Sequence, residues 1–207
     1  MKGPLFYSKI LLFGEYGIIQ DSKGLSIPYN FYNGALKNDG NSSVEALKSN
    51  SNLKRFVSFL ETLQNDQPEL VTFDLASLNQ DVNSGMYFDS SIPQGYGVGS
   101  SGALVAAIYD KYAQNKITVL ENLTREKLLQ LKTIFGQMES FFHGKSSGLD
   151  PLNSYLSIPI LINSKDNIEA TGIPNQILDG KGAVFLLDSG IIGETAPMVS
   201  IFMENLK

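Results

Sequence analysis

Four groups of residues in this chain combine residue types and spacing suited to chemistry. The densest runs from Pro93 to Tyr109 and reads Pro-Gln-Gly-Tyr-Gly-Val-Gly-Ser-Ser-Gly-Ala-Leu-Val-Ala-Ala-Ile-Tyr. Its first part holds Gly95, Gly97, Gly99 and Gly102, and its second, Ala103 to Tyr109, is an unbroken apolar run. A glycine-rich turn that opens a helix is an anion site, because free N–H groups point outward and the helix dipole favours negative charge there. Ser100 and Ser101 add hydroxyls at the helix mouth, where they cap it or hold a metal-bound phosphate. On spacing alone, a plain turn capping a core helix is an equal alternative.

The second group is Lys9 with Glu15, flanking the run Ile-Leu-Leu-Phe-Gly. Taken alone they read as an edge-strand lysine and a turn glutamate. The third is a strip of Lys132, Gly136, Glu139 and His143, whose helical spacing lays Glu139 and His143 on one face. A solvated i,i+4 pair has the same spacing. The fourth, His143-Gly-Lys-Ser-Ser-Gly-Leu-Asp150-Pro, ends on an acid. Asp150 before Pro151 also reads as an N-cap with proline at the first helical position.

The glycine segment is not a P-loop, since the chain has no Gly-x-x-x-x-Gly-Lys-Ser/Thr. Gly97, Gly99 and Gly102 satisfy Gly-x-Gly-x-x-Gly, a weak signal by itself. The dinucleotide fingerprint leaves an apolar strand directly, near a domain start. Here Pro93 and Gln94 interrupt the approach and no acid closes a second strand about 20 residues on.

The 207 residues suffice for one large domain, and 43% hydrophobic content supports a sizeable core. A net charge of −5 argues against nucleic acid or an anionic membrane as partner. With no cysteine and a single histidine, His143, disulfides, thiol nucleophiles and histidine-rich metal sites are excluded. Lys9 and Glu15 break any signal-peptide core, and the apolar runs fall short of the roughly 20 residues that span a bilayer. A cytoplasmic location is the default expectation.

These groups need a scaffold. Leu5 to Gln20 reads as two short strands around a turn, with Ile10 to Phe13 buried and Gly17 opening the second. Gly24 to Leu36 reads as strand, and Asn38 to Ser51 as a polar surface insertion. Leu53 to Leu63 has helical apolar spacing. Glu69 to Leu78 and Gly85 to Ile92 read as strands, the latter feeding the glycine loop. A helix over Val119 to Phe142 starts at a Thr124 cap and carries Leu128, Leu131, Phe135, Met138 and Phe142 on one stripe. Asn153 to Asn163 and Ala183 to Asp188 read as strands. Thr195 and Pro197 open a last helix.

The string Pro-x-x-x-Gly-x-Gly-Ser-Ser-x-Ala, on Pro93, Gly97, Gly99, Ser100, Ser101 and Ala103, resembles the ATP-phosphate loop of the GHMP kinase superfamily. Lys9 through Gly14-Glu15-Tyr16 resembles its first motif, with Tyr16 in place of histidine. His143, Gly144, Ser147, Gly148 and Asp150 resemble the mevalonate-kinase segment His-Gly-x-x-Ser-Gly-x-Asp, with Lys145-Ser146 replacing a residue–proline pair. Ser189 to Val199 resembles the family's Asp-Thr/Ser-Gly turn and next helix.

The resemblance implies an α+β GHMP kinase N-terminal domain of the ribosomal protein S5 domain 2-like type, a mixed or antiparallel sheet with helices packed on it. Residues 1–185 would form that domain and 186–207 the start of a truncated C-terminal one, the chain being either a piece of a longer protein or a reduced member. It implies ATP and Mg²⁺, and a small hydroxyl substrate of mevalonate type. Phosphomevalonate, other sugars or alcohols, and a non-catalytic nucleotide-binding fragment are the alternatives. No nucleic-acid or membrane partner is implied, and a homodimer stays open. Asp150 and Lys9 would be catalytic; Pro93, Gly95, Gly97, Gly99, Ser100 and Ser101 would hold the nucleotide. Ser101 and Glu139 would bind the metal, and Glu15, His143 and Ser147 would line the substrate side.

Overall fold

A computed structural model describes residues 3–118, 122–172, 186–187, 190, 192–193 and 195–206, without the side chains of Ile19, Thr195 and Ala196. The first strand, β1 (Phe6–Phe13), pairs antiparallel with the long β2 (Gly24–Lys37). On its other edge β2 takes β3 (Tyr87–Ser90) along its second half and β4 (Ile160–Ser164) along its first. β5 (Asn167–Ala170) pairs with β4 and is the last of the described strands. Every pairing among the described strands is antiparallel, an α+β arrangement.

Among the described residues, five α-helices accompany the sheet before residue 172: α1 (Val44–Asp66), α2 (Leu75–Asn83), α3 (Ser100–Tyr112), α4 (Arg125–His143) and α5 (Leu149–Leu156). A sixth, α6 (Thr195–Asn205), follows. Helices α3 and α5 pack on β1, β2 and each other, and α4 packs against both helices. The alanine-rich sequence of α3 lets neighbours come close on all sides. Ala103, Val105, Ala106 and Ile108 are all fully buried. Tyr109 meets Phe135 of α4 and Tyr155 of α5 edge-on, at 5.0 and 5.2 Å between ring centroids.

Several expectations are corrected. Gly17–Gln20 is a 3-10 turn, not a strand, because Tyr16 (φ 57°) and Asp21 (φ 62°) curl the backbone at both ends. Ile10 to Phe13 is not buried: among the described strands β1 lies at the edge of the sheet, and Leu12 and Phe13 are about half exposed. The polar stretch up to Ser51 is largely the start of α1. Ser43 Oγ caps that helix by accepting from Ala46 N at 3.2 Å. Asn50 uses its amide to bind Val82 O and Met86 O at 2.8 and 2.7 Å, so the polar face is employed rather than solvated.

Glu69 to Leu78 does not form a strand. Phe73 makes a single bridge to Ala113, and Asp74 then caps α2 by accepting from Ser77 N at 3.0 Å. Cap chemistry overrides weak alternation there. Asp150 is not an N-cap either. Gly148 (φ 74°) holds that position, which puts Asp150 and Pro151 inside the first turn of α5, where a missing N–H costs nothing. Asn153 to Leu156 remains helical, and the strand starts only at Ile160, after the left-handed Ser157 (φ 53°). Most of the Ala183–Asp188 strand expectation lies outside the described residues. Thr124 does cap α4, accepting from Lys127 N at 3.4 Å.

Candidate functional site

The N-terminal end of α3 is where distant segments converge. The helix is entered through Gly99, whose φ of 83° is a left-handed value that glycine adopts without strain. A Cβ at Gly99 would also lie 3.0 Å from Lys9 Cγ, so a side chain here would press on Lys9. The first intrahelical bond runs from Ala103 N to Gly99 O at 3.0 Å. The amides of Ser100, Ser101 and Gly102 precede it and have no partner within the helix, the arrangement that receives anions. Gly95 and Gly97, both at positive φ, lie exposed in the loop ahead, with Pro93 half-buried at its start.

Helix α5 approaches the same end. A Cβ on Gly102 would sit 2.7 Å from both Asp150 C and Pro151 N, so α3 and α5 meet backbone to backbone. That contact presents Asp150 to Lys9, with Nζ to Oδ1 at 3.0 Å. The Lys9 side chain is only 10% exposed, so the carboxylate is what makes an ammonium tolerable there. From α4, Glu139 and His143 enter as neighbours on one face. Ser101 Oγ donates to Glu139 Oε1 at 2.8 Å and lies 3.0 Å from His143 Nε2. A hydroxyl has one proton; once it is given to the carboxylate, the histidine must donate from Nε2.

Two acids therefore share one cation. Burial pushes the Glu139 carboxyl up to about 7, and the Asp150 charge adds to the rise. Hydrogen bonds from Ser146 and Ser101 and the charge of Lys9 oppose it. An ion with a preference for oxygen ligands would relieve this imbalance, and Ser101 Oγ and Glu139 Oε1 are two such ligands already side by side. Among the described residues no three His, Cys, Asp or Glu side chains cluster for metal binding.

Residues 60–157 match the family model for the N-terminal domain of GHMP kinases. That match takes in α3, α4 and α5 and covers a little under half of the chain. Among solved structures it is similar to L. major mevalonate kinase, crystallised in complex with R-mevalonate, at 19% identity and a TM-score of 0.50. That likeness covers 100% of this chain and 65% of that one, and it speaks to the fold. Methanococcus jannaschii mevalonate kinase follows at 18% identity, TM-score 0.46, covering 83% and 56% of the two chains. Mevalonate kinase from methicillin-resistant Staphylococcus aureus MRSA252 has 22% identity, TM-score 0.41 and coverages of 80% and 53%. No curated protein matches the sequence. The chain spans just under two thirds of the length of the L. major protein.

In the structure Lys9, Gly99, Ser101, Glu139, His143 and Asp150 come together. Glu15 is exposed in the turn after β1, and its carboxylate is not drawn into the cluster. Ser147 is also exposed; its Oγ accepts from Leu149 N at 3.4 Å and it faces a separate cavity of about 220 Å³ beside Lys132 and Lys165. The antiparallel pairing of β3, which leads into the glycine loop, is not the parallel unit of a dinucleotide fold. Two residues matter here for reasons the sequence did not carry. Gly102 matters through what it nearly touches, and Ser146 through a hydrogen bond to Glu139 Oε2 at 2.5 Å.

Beyond the sheet, Gly193 N donates to Gly95 O at 3.1 Å, and a Cβ on Gly95 would come within 2.4 Å of Ile192 Cγ2. Helix α6 sets Phe202 against Tyr16, with ring centroids 5.7 Å apart. No helix among the described residues is long and apolar enough to cross a membrane.

Proposed function

We propose that this domain transfers the γ-phosphoryl group of ATP to the hydroxyl of a small, mevalonate-like molecule. The observation that carries this reading is the Lys9–Asp150 pair, 3.0 Å apart at the mouth of the α3 N-terminus. Phosphoryl transfer asks a protein chiefly for alignment and charge neutralisation. The Gly95–Ser101 loop, begun at Pro93 and continued by the amides of Ser100 and Ser101, would cradle the triphosphate. Ser101 and Glu139 fit a hard cation by their oxygen donors, and Mg²⁺ when bound supplies charge neutralisation on the phosphates.

Asp150 then accepts the proton of the acceptor hydroxyl as its oxygen bonds to phosphorus and the bond to ADP breaks. Lys9 holds Asp150 in place and offers its ammonium to charge building on the reacting oxygen. His143, bound to Ser101, stands at the edge where an acceptor would enter; Glu15 and Ser147 would have to turn inward to join it. Phosphomevalonate and other alcohols fit the same machinery. Residues 186–207 would begin a further domain of the whole protein, and a cytoplasmic location goes with a soluble small-molecule substrate.

The test is ADP release with ATP, Mg²⁺ and mevalonate, alongside melting temperature with and without MgATP. Turnover that needs mevalonate, together with a raised melting temperature, supports the reading. A melting point raised by MgATP without turnover for any acceptor would leave a nucleotide-binding domain. No response to MgATP would overturn both.

A further inference from the structure

The carboxylate of Glu139 has two oxygens, and each meets a different serine. Ser101, on α3, donates to Oε1 at 2.8 Å; Ser146, in the turn between α4 and α5, donates to Oε2 at 2.5 Å. The Ser146 hydroxyl also accepts from Gly148 N at 3.0 Å. Gly148 is pressed onto α4 so closely that a Cβ there would lie 2.0 Å from Lys132 O, and it caps the helix that begins one residue later and bears Asp150. One hydroxyl thus joins the buried acid of α4 to the turn that places the acid of α5.

The torsion that orients a glutamate carboxylate is broad and nearly two-fold, so the backbone alone does not decide which way the group faces. A donor on each oxygen does. Ser146 also lines the cavity that holds Lys132, Gln137 and Lys165, so its hydroxyl stands between that cavity and the Glu139 carboxylate. The motif resemblance puts proline at this position, a residue with no hydroxyl, so the arrangement belongs to this chain.

We propose that Ser146 is a positioning residue: it fixes the plane of the Glu139 carboxylate so that Oε1 and Ser101 Oγ face the same cation. This rests on the reading of Glu139 as a cation ligand. Partners of a metal-binding side chain commonly contribute tenfold to a hundredfold in metal affinity.

The experiment measures Mn²⁺ binding in the presence of ATP by the loss of free-ion electron paramagnetic resonance signal. Ser146→Ala is expected to weaken Mn²⁺ binding about tenfold, with ATP binding in the absence of metal unchanged, while Ser146→Thr stays within about twofold of the parent. Ser146→Cys, close in volume but a weak donor, should follow alanine and serves if the alanine variant does not fold. Glu139→Gln should weaken Mn²⁺ at least as much, and adding Ser146→Ala to it should change little further. Unchanged Mn²⁺ binding in Glu139→Gln would overturn the reading of Glu139 and this inference with it. Weak binding in Glu139→Gln but parental binding in folded Ser146→Ala or Ser146→Cys would overturn the role of Ser146 alone. So would additive losses in the double variant.

Discussion

Helix α3 has a lysine–aspartate pair at each end, and the two are not alike. At the C-terminal end Asp81 accepts from Lys111 Nζ at 2.7 Å and from the buried Tyr112 hydroxyl at 2.5 Å. Burial pushes the Asp81 carboxyl up, but hydrogen bonds from Lys111 and Tyr112 outweigh it and hold the group below the usual carboxylate range. The Tyr112 hydroxyl is pushed up by burial and by that carboxylate, and it stays a donor. One acid, one ammonium and one hydroxyl close the account. At the N-terminal end Glu139 and Asp150 both lean on Lys9, and burial with the Asp150 charge lifts Glu139 to about 7. Balanced charge marks a brace between α2 and α3; unbalanced charge fits the proposed cation and phosphate site.

The largest test of this contrast exchanges one aspartate at each end. Asp150→Asn should lower turnover by about 10³-fold while MgATP still raises the melting temperature, since general-base groups contribute about 10² to 10⁴. Asp81→Asn should leave turnover within about twofold. Equal losses in the two variants would erase the distinction.

A pH series sharpens it. The Glu139 carboxyl lies near 7 in the folded chain against an ordinary 4.5, so the folded state holds that proton more tightly. The associated stability is complete below about pH 4.5 and is lost as pH rises through about 7. Glu139→Gln should remove that dependence and leave the ligand-free protein more stable than the parent at pH 8, by on the order of 3 kcal/mol. Urea unfolding at pH 5 and pH 8 measures this, and a parent curve flat between them would refute it.

Gly102→Val tests the backbone contact beneath the site. Its Cβ would meet the main chain of α5 at 2.7 Å, which side-chain rotation cannot relieve. A loss of about 2 to 3 kcal/mol by denaturant unfolding is expected, together with loss of turnover. The smallest effect belongs to the brace. Tyr112→Phe should cost about 1 kcal/mol, because Asp81 keeps Lys111 and the hydrogen bond removed is only partly buried.

Much of the site was legible because its signals are local. The 3.6-residue period of α4 places Glu139 beside His143 without tertiary knowledge, and the alternating glycines before an alanine-rich run announce a turn and a buried helix. Ser146 was silent, since a serine in a small-residue turn has many local uses and its partner lies on another element. Gly102 was counted with the loop although its importance is the missing side chain against α5. The fold was misread where polar residues do structural work: Asn50 and Ser43 make a helix of what looked like a solvated insertion, and Asp74 turns an alternating stretch into a helix cap. Ile10 to Phe13 looked buried on hydrophobicity alone, which says nothing of a strand's place at the margin of a sheet.

One residue of that marginal strand serves two masters. Lys9 stands opposite Pro28, which has no N–H to offer, and its own amide turns outward to donate to Val98 O at 3.0 Å. The backbone of Lys9 therefore tethers the glycine loop while its side chain reaches Asp150. A slip of β1 by a single position would turn that side chain to the opposite face and cut the tether in the same movement. Deuterium uptake at this one amide would accordingly report on loop and charge pair together, a single gauge for whether the whole mouth of α3 is assembled.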